Sequence, residues 1–125
     1  MIKYFTKITG LLLILNSLTF SQQKSDNSLT MSEFKEKLKS DSNIVVLDVR
    51  TPEEFTGSLG RIESAINIPV QVLDQRIKEL EKFKDKEILV ICRTQNRSAV
   101  AVDYLKRAGY NAKNILGGMA EYSKK

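Results

Sequence analysis

The chain has a single cysteine, Cys92, and no histidine. Cys92 ends the apolar run Ile88-Leu89-Val90-Ile91 and opens the segment Cys92-Arg93-Thr94-Gln95-Asn96-Arg97-Ser98. Five polar residues in succession after such a run cannot be core, so they form a loop. The loop feeds a helical pattern from Ser98 to Ala108, with Gly109 as its C-terminal cap. The first amide N–H groups of a helix lack internal partners and carry partial positive charge. A curled loop at that point makes a nest for anions, and Arg93 and Arg97 add formal charge. A thiol in this setting ionises more readily than an isolated one, and the thiolate is the nucleophile. The same donors suit a persulfide anion. The bland alternatives are a strand-end cysteine packed as a small hydrophobe, two solvated arginines, and Ser98 as a helix N-cap.

The missing residue types narrow the chemistry further. Without histidine there is no Cys-His or Ser-His-Asp machinery and no histidine-ligated metal. One cysteine builds neither a zinc or iron–sulfur site nor a Cys-x-x-Cys redox pair. No metal and no separate cofactor is expected. What survives is one nucleophilic sulfur in an anion cradle.

The elements that position this sulfur follow from hydrophobic patterning. Thr30 and Glu33 form a capping box ahead of a helix over about 31–40, with Phe34 and Leu38 on one face. Ile44-Val45-Val46-Leu47 reads as a strand buried on both faces, with Asp48 and Arg50 at its C-terminal end. Thr51 caps a short helix over 51–55, where Pro52 takes the first position. Ala65–Pro69 is a second short strand. Val72, Leu73, Ile77 and Leu80 keep helical spacing. Ile88–Ile91 is a third strand, and Asn114-Ile115-Leu116 a last one, followed by Gly117-Gly118 and a helical turn. Apolar strands alternating with helices give an α/β fold with a mostly parallel sheet covered on both faces. In such sheets ligands bind beyond the C-terminal strand ends, where Asp48, Arg50 and Cys92 all fall.

Residues 1–21 have the layout of a secretory signal peptide: Lys3 and Lys7, an apolar run from Ile8 to Phe20, then Ser21. Cleavage there makes Gln22 the new N-terminus. The run of about 13 residues is shorter than the roughly 20 of a spanning helix, and an uncleaved anchor is the alternative. Residues 22–29 read as a polar flexible linker, and 30–125 as one domain. The expected location is outside the cytoplasm, periplasmic or secreted, with no membrane attachment after cleavage. The formal net charge of +5 falls to about +3 without the leader. With no basic run or aromatic-interleaved stripe, nucleic acid is not an expected partner. A small, mildly charged domain is expected to be monomeric.

Four segments, taken together and in order, resemble the single-domain rhodanese family of sulfurtransferases from about Met31 to Lys125. They are Val46-Leu47-Asp48-Val49-Arg50 with Glu53-Glu54-Phe55, Gly60 to Pro69, Cys92 to Ser98, and Leu116-Gly117-Gly118-Met119 with Tyr122. The resemblance implies a rhodanese-like domain with a central five-stranded sheet and helices on both faces. It implies a sulfurtransferase in which Cys92 attacks the outer sulfur of a donor such as thiosulfate. The resulting Cys92 persulfide would pass its sulfur to cyanide, a thiol or a protein. The amides from Arg93 through Thr94, Gln95, Asn96 and Arg97 to Ser98 would cradle the anion. Arg93 and Arg97 would attract a small anionic donor, and Asp48 and Arg50 would support the loop or line its mouth.

Three positions depart from the family pattern: Gln95 and Ser64 stand where glycine is common, and Arg61 where histidine is common. A left-handed backbone at Gln95 would cost about 1–2 kcal/mol and narrow the loop. A cysteine phosphatase or arsenate reductase has one more residue between its cysteine and arginine than the four between Cys92 and Arg97. The other alternative is a non-catalytic binding or persulfide-carrier module serving a protein partner.

Overall fold

The computed structural model describes residues 26–124, so the leader and the first residues of the linker lie outside the described residues. Among the described residues, five parallel strands form one sheet in the order β1-β5-β4-β2-β3. They are β1 (Ser28–Leu29), β2 (Ile44–Asp48), β3 (Ile66–Asn67), β4 (Glu87–Ile91) and β5 (Asn111–Ile115). The helices are α1 (Met31–Ser40), α2 (Pro52–Phe55), α3 (Leu73–Arg76), α4 (Asn96–Arg107) and α5 (Gly118–Tyr122). Turns of 3-10 helix over Val70–Val72 and Ile77–Phe83 flank α3. The sheet is wholly parallel, where the sequence had suggested mostly so.

The central strands are apolar throughout because each face of the sheet has its own core. Ile88 and Val90 of β4 pack with Leu47 and with Ala101, Val102 and Leu105 of α4. Leu89 and Ile91 point the other way, toward Phe34 of α1 and Met119 of α5. Strand alternation continues past Ile91, so Cys92 joins the α4-side core. The capping box before α1 is made: the Glu33 amide donates to Thr30 Oγ1 at 3.1 Å and the Thr30 amide to Glu33 Oε1 at 2.9 Å. Phe34, fully buried, then meets the Tyr122 ring at 6.1 Å between centroids and ties α1 to α5.

Three elements differ from the sequence reading. The linker assigned to 22–29 ends early, because Ser28 and Leu29 are buried and pair with Asn114 and Ile115 as β1. β5 begins at Asn111 rather than Asn114. Its polar first half pairs with β4 while β1 covers only its last two residues, so solvent on its open edge permits Asn111 and Lys113. The helical spacing over 72–80 resolves into the short α3 between 3-10 turns, which still buries Leu73 and Leu80.

Candidate active site

β2 and β4 are neighbours in parallel register, with Asp48 opposite Ile91, and the Val49 amide donates to the Ile91 carbonyl at 2.9 Å. This brings Asp48 and Arg50 beside Cys92 at the C-terminal ends of the strands. Asp48 and Arg50 are themselves buried, at 0% and 1% exposure. Arg50 Nη2 donates to Asp48 Oδ2 at 2.8 Å, and Nε reaches both carboxylate oxygens at 3.0 and 3.1 Å. Its remaining donors reach the carbonyls of Glu54 at 3.2 Å and Gly60 at 2.9 Å. A buried guanidinium is tolerated only when paired and fully hydrogen-bonded. The pair therefore works as an internal brace that holds the chain from Val49 to Gly60 against β2. Asn67 adds to it, donating through Nδ2 to the carbonyls of Asp48 and Arg50 at 3.0 and 2.9 Å.

The loop after Cys92 is held by its carbonyls. The Met119 and Ala120 amides of α5 donate to the Cys92 and Arg93 carbonyls, both at 2.9 Å. The Gln95 carbonyl accepts from the Ala99 amide at 3.1 Å and from Asn114 Nδ2 at 3.1 Å. By contrast, none of the amide N–H groups from Arg93 to Ser98 has an acceptor among the described residues. A loop pinned by its carbonyls with its amides left free is the electrostatic pattern of an anion nest. Gly118 makes the docking of α5 possible. Its φ is +58°, and a Cβ there would lie 2.4 Å from the Thr94 carbonyl oxygen and 2.5 Å from that of Arg93.

Cys92 is 1% exposed, whereas Arg93, Thr94, Gln95 and Asn96 are exposed. The thiol thus forms the floor of the loop rather than its rim. Sγ lies 3.2 Å from Ser98 Oγ, and Ser98 Oγ lies 2.5 Å from Asn114 Oδ1. Because Asn114 gives its Nδ2 to the Gln95 carbonyl, its Oδ1 faces Ser98, and the Ser98 hydroxyl donates to it. Ser98 then offers the sulfur a lone pair, so Cys92 S–H is the donor in this network. Ser98 is not the cap of α4: the helix starts at Asn96 after Gln95, and Ser98 lies inside its first turn, fully buried. Two hydrogen-bond partners beneath the loop account for that displacement.

The two loop arginines part company. Arg97 forms a bidentate pair with Glu54, Nη1 to Oε1 at 2.6 Å and Nη2 to Oε2 at 2.8 Å. This pair drops the Glu54 carboxyl to about 2, with the Thr51 amide helping. It raises Arg97 further above its already high value, to which Cys92 and Asp48 nearby contribute. Arg93 is exposed and makes no ion pair among the described residues. Gln95 has φ −162°, an extended backbone open to any residue, so the feared left-handed strain is absent. Its Oε1 instead accepts from the Gly117 amide at 3.3 Å. Arg61 stacks over the Phe55 ring with its guanidinium carbon 4.8 Å from the centroid.

Sequence reasoning missed two residues of this constellation. Glu54 entered only as part of the Glu53-Glu54-Phe55 segment, with no role of its own, and only the fold puts its carboxylate against Arg97. Asn114 was read as a strand residue. The available signal was a polar side chain directly before the apolar pair Ile115-Leu116 in a strand expected to be buried.

Comparison with known proteins places the chain in a family. The model of the rhodanese-like domain matches residues 30–125. A sulfurtransferase of Allochromatium vinosum is 27% identical over 99 residues, covering 78% of this chain and 89% of that protein. The crystal structure of a rhodanese-like domain protein from Staphylococcus aureus is 33% identical with a TM-score of 0.67, covering 75% of this chain and 88% of that one. A NAD-dependent persulfide reductase from A. fulgidus is 37% identical with a TM-score of 0.57, over 75% of this chain but only 15% of that larger one. The chain belongs to the rhodanese-like domain family, and its curated relatives include proteins named sulfurtransferases.

Proposed function

We propose that this rhodanese-like domain transfers sulfane sulfur through a persulfide on Cys92, taking it from a donor such as thiosulfate and passing it to a thiol or cyanide. The observation that carries this reading is the run of amides from Arg93 to Ser98 with no acceptor among the described residues, above a buried thiol. With thiosulfate, the Cys92 thiolate attacks the outer sulfur, the S–S bond breaks, and sulfite leaves with the bonding pair. The product Cys92–S–S⁻ carries its charge on the added sulfur, about 2 Å farther out than Sγ. Burial of Sγ is compatible with this chemistry, because the outer sulfur is the atom that must reach the amides and the acceptor. A thiol acceptor then attacks that sulfur, leaves as a persulfide, and returns Cys92 to its thiolate. No metal or separate cofactor enters either step.

The test is intact-protein mass after exposure to thiosulfate or an alkyl persulfide. A gain of one sulfur atom, absent in Cys92→Ser, supports the reading. The burial of Cys92 is the observation that favours the alternative, a non-catalytic module that binds a protein partner, and no gain of sulfur would support it. Export belongs to the same proposal, on the layout of residues 1–21. A mature N-terminus at Gln22 supports it, and recovery of intact Met1 from the exporting cell counts against it.

A further inference from the structure

We propose that Glu54 sets the donor class of this site: by holding Arg97 it leaves the loop, among the described residues, one uncommitted cation, Arg93, and fits the site to a monoanionic organic persulfide in preference to dianionic thiosulfate. The inference rests on the persulfide reading of Cys92 and narrows it. Around the loop, Arg97 is cancelled by Glu54 and Arg50 by Asp48, each pair in bidentate or near-bidentate contact. Guanidinium donors in such pairs are oriented on their carboxylates and are not free to chelate a sulfonate. Among the described residues a second negative charge on the donor therefore meets no unpaired loop arginine beyond Arg93, and it meets the exposed carboxylate of Glu53, which lines the same recess as Arg93.

Shape points the same way. A recess of about 240 Å³ opens beside the loop, between Arg93 and the Glu53, Gly57, Ser58 and Leu59 side of the α2 segment. Thiosulfate has no part that needs such a space, whereas the organic arm of a persulfide does. The exchange is balanced without an added oxidant or reductant. The Cys92 sulfur forms a bond to the outer sulfur of R–S–S⁻, and the donor S–S bond breaks. The inner sulfur leaves with the electron pair and takes up the proton that Cys92 gives up, so that R–SH departs and Cys92–S–S⁻ remains.

The experiment compares the rate of Cys92 sulfur loading from hydroxyethyl persulfide and from thiosulfate, followed by intact mass, in the full chain and in Glu54→Gln. The wild type is expected to load faster from the persulfide. Glu54→Gln, which frees Arg97, is expected to raise the thiosulfate rate about tenfold at low ionic strength and to change the persulfide rate by less than about threefold. Faster wild-type loading from thiosulfate overturns the proposal, and that comparison needs no variant to fold. An unchanged ratio in a folded Glu54→Gln also overturns it. Loading by neither donor removes the persulfide reading itself, so the two failures are distinguishable.

Discussion

Acidification should cost this domain stability at one place that the structure singles out, the pair between Glu54 and Arg97. The Glu54 carboxyl sits at about 2 in the folded chain against an ordinary value of 4.5. Because the folded value is depressed, the stabilisation is present above about pH 4.5 and is lost as pH falls through the folded value. The full difference corresponds to about 3.4 kcal/mol at 1.36 kcal/mol per pH unit. Both side chains are 30% exposed, so solvent screening reduces this to roughly 1–2 kcal/mol. About 60% of the loss is complete at pH 3, which places it near 1 kcal/mol there. The assay is urea unfolding at pH 6 and at pH 3 for the wild type and for Glu54→Gln. Glutamine cannot titrate, so the wild type should lose about 1 kcal/mol more than the variant between the two pH values. Equal losses would refute the argument, because they would mean that the ion pair contributes no folding free energy despite its 2.6 and 2.8 Å contacts.

Further expectations follow from the neighbours of that pair. Asp48→Asn leaves the buried Arg50 guanidinium uncompensated and should cost about 3–5 kcal/mol by chemical denaturation; a loss under about 1 kcal/mol would deny the bracing role. Asn114→Ala removes the acceptor of the Ser98 hydroxyl, which is then free to donate to sulfur. Iodoacetamide should then alkylate Cys92 faster, with about 1–3 kcal/mol lost in stability, whereas an unaltered alkylation rate would show that Asn114 does not orient Ser98. Gly118→Ala drives a Cβ into the Thr94 and Arg93 carbonyls and should lower the rate of sulfur loading at least tenfold, measured by mass; a wild-type rate would show that α5 does not set the loop. Arg93→Ala should slow loading more at low than at high ionic strength, since Arg93 is exposed and unpaired among the described residues; an effect independent of salt would point to loop structure instead.

The legible part of this protein is the part governed by short-range rules. The capping box of Thr30 and Glu33, the entry of α2 at Thr51-Pro52, and the buried runs of β2 and β4 each depend on a few neighbouring residues, and each stands where patterning puts it. The placement of Asp48, Arg50 and Cys92 at one end of a parallel sheet was legible for the same reason. What was not legible depends on partners far along the chain. β1 has two residues, too few for any periodicity, and exists because the end of β5 has an open edge for it. The polar half of β5 violates the buried-strand pattern because only one of its edges is paired. Ser98 looks like a cap from its neighbours, yet Cys92 and Asn114 draw it inside the helix.

The arginines carry the same lesson into chemistry. Two positive charges in one loop predict twice the attraction for an anion only while their counter-charges are unknown. Glu54 lies 43 residues from Arg97, and its own position is set by the cap at Thr51 and by Arg50 holding the Glu54 carbonyl. The brace of Asp48 and Arg50 therefore acts on the loop at one remove: it fixes α2, α2 presents Glu54, and Glu54 occupies Arg97. With that cation committed, the remaining attraction for negatively charged sulfur comes mainly from the uncapped amides and Arg93. Amides are dipoles whose field falls off faster with distance than that of a full charge. They favour a charge concentrated on one atom in contact with them over a charge spread across a larger oxyanion. A terminal persulfide sulfur has that form, which is why the geometry of the loop and the pairing of its arginines support one account of the site.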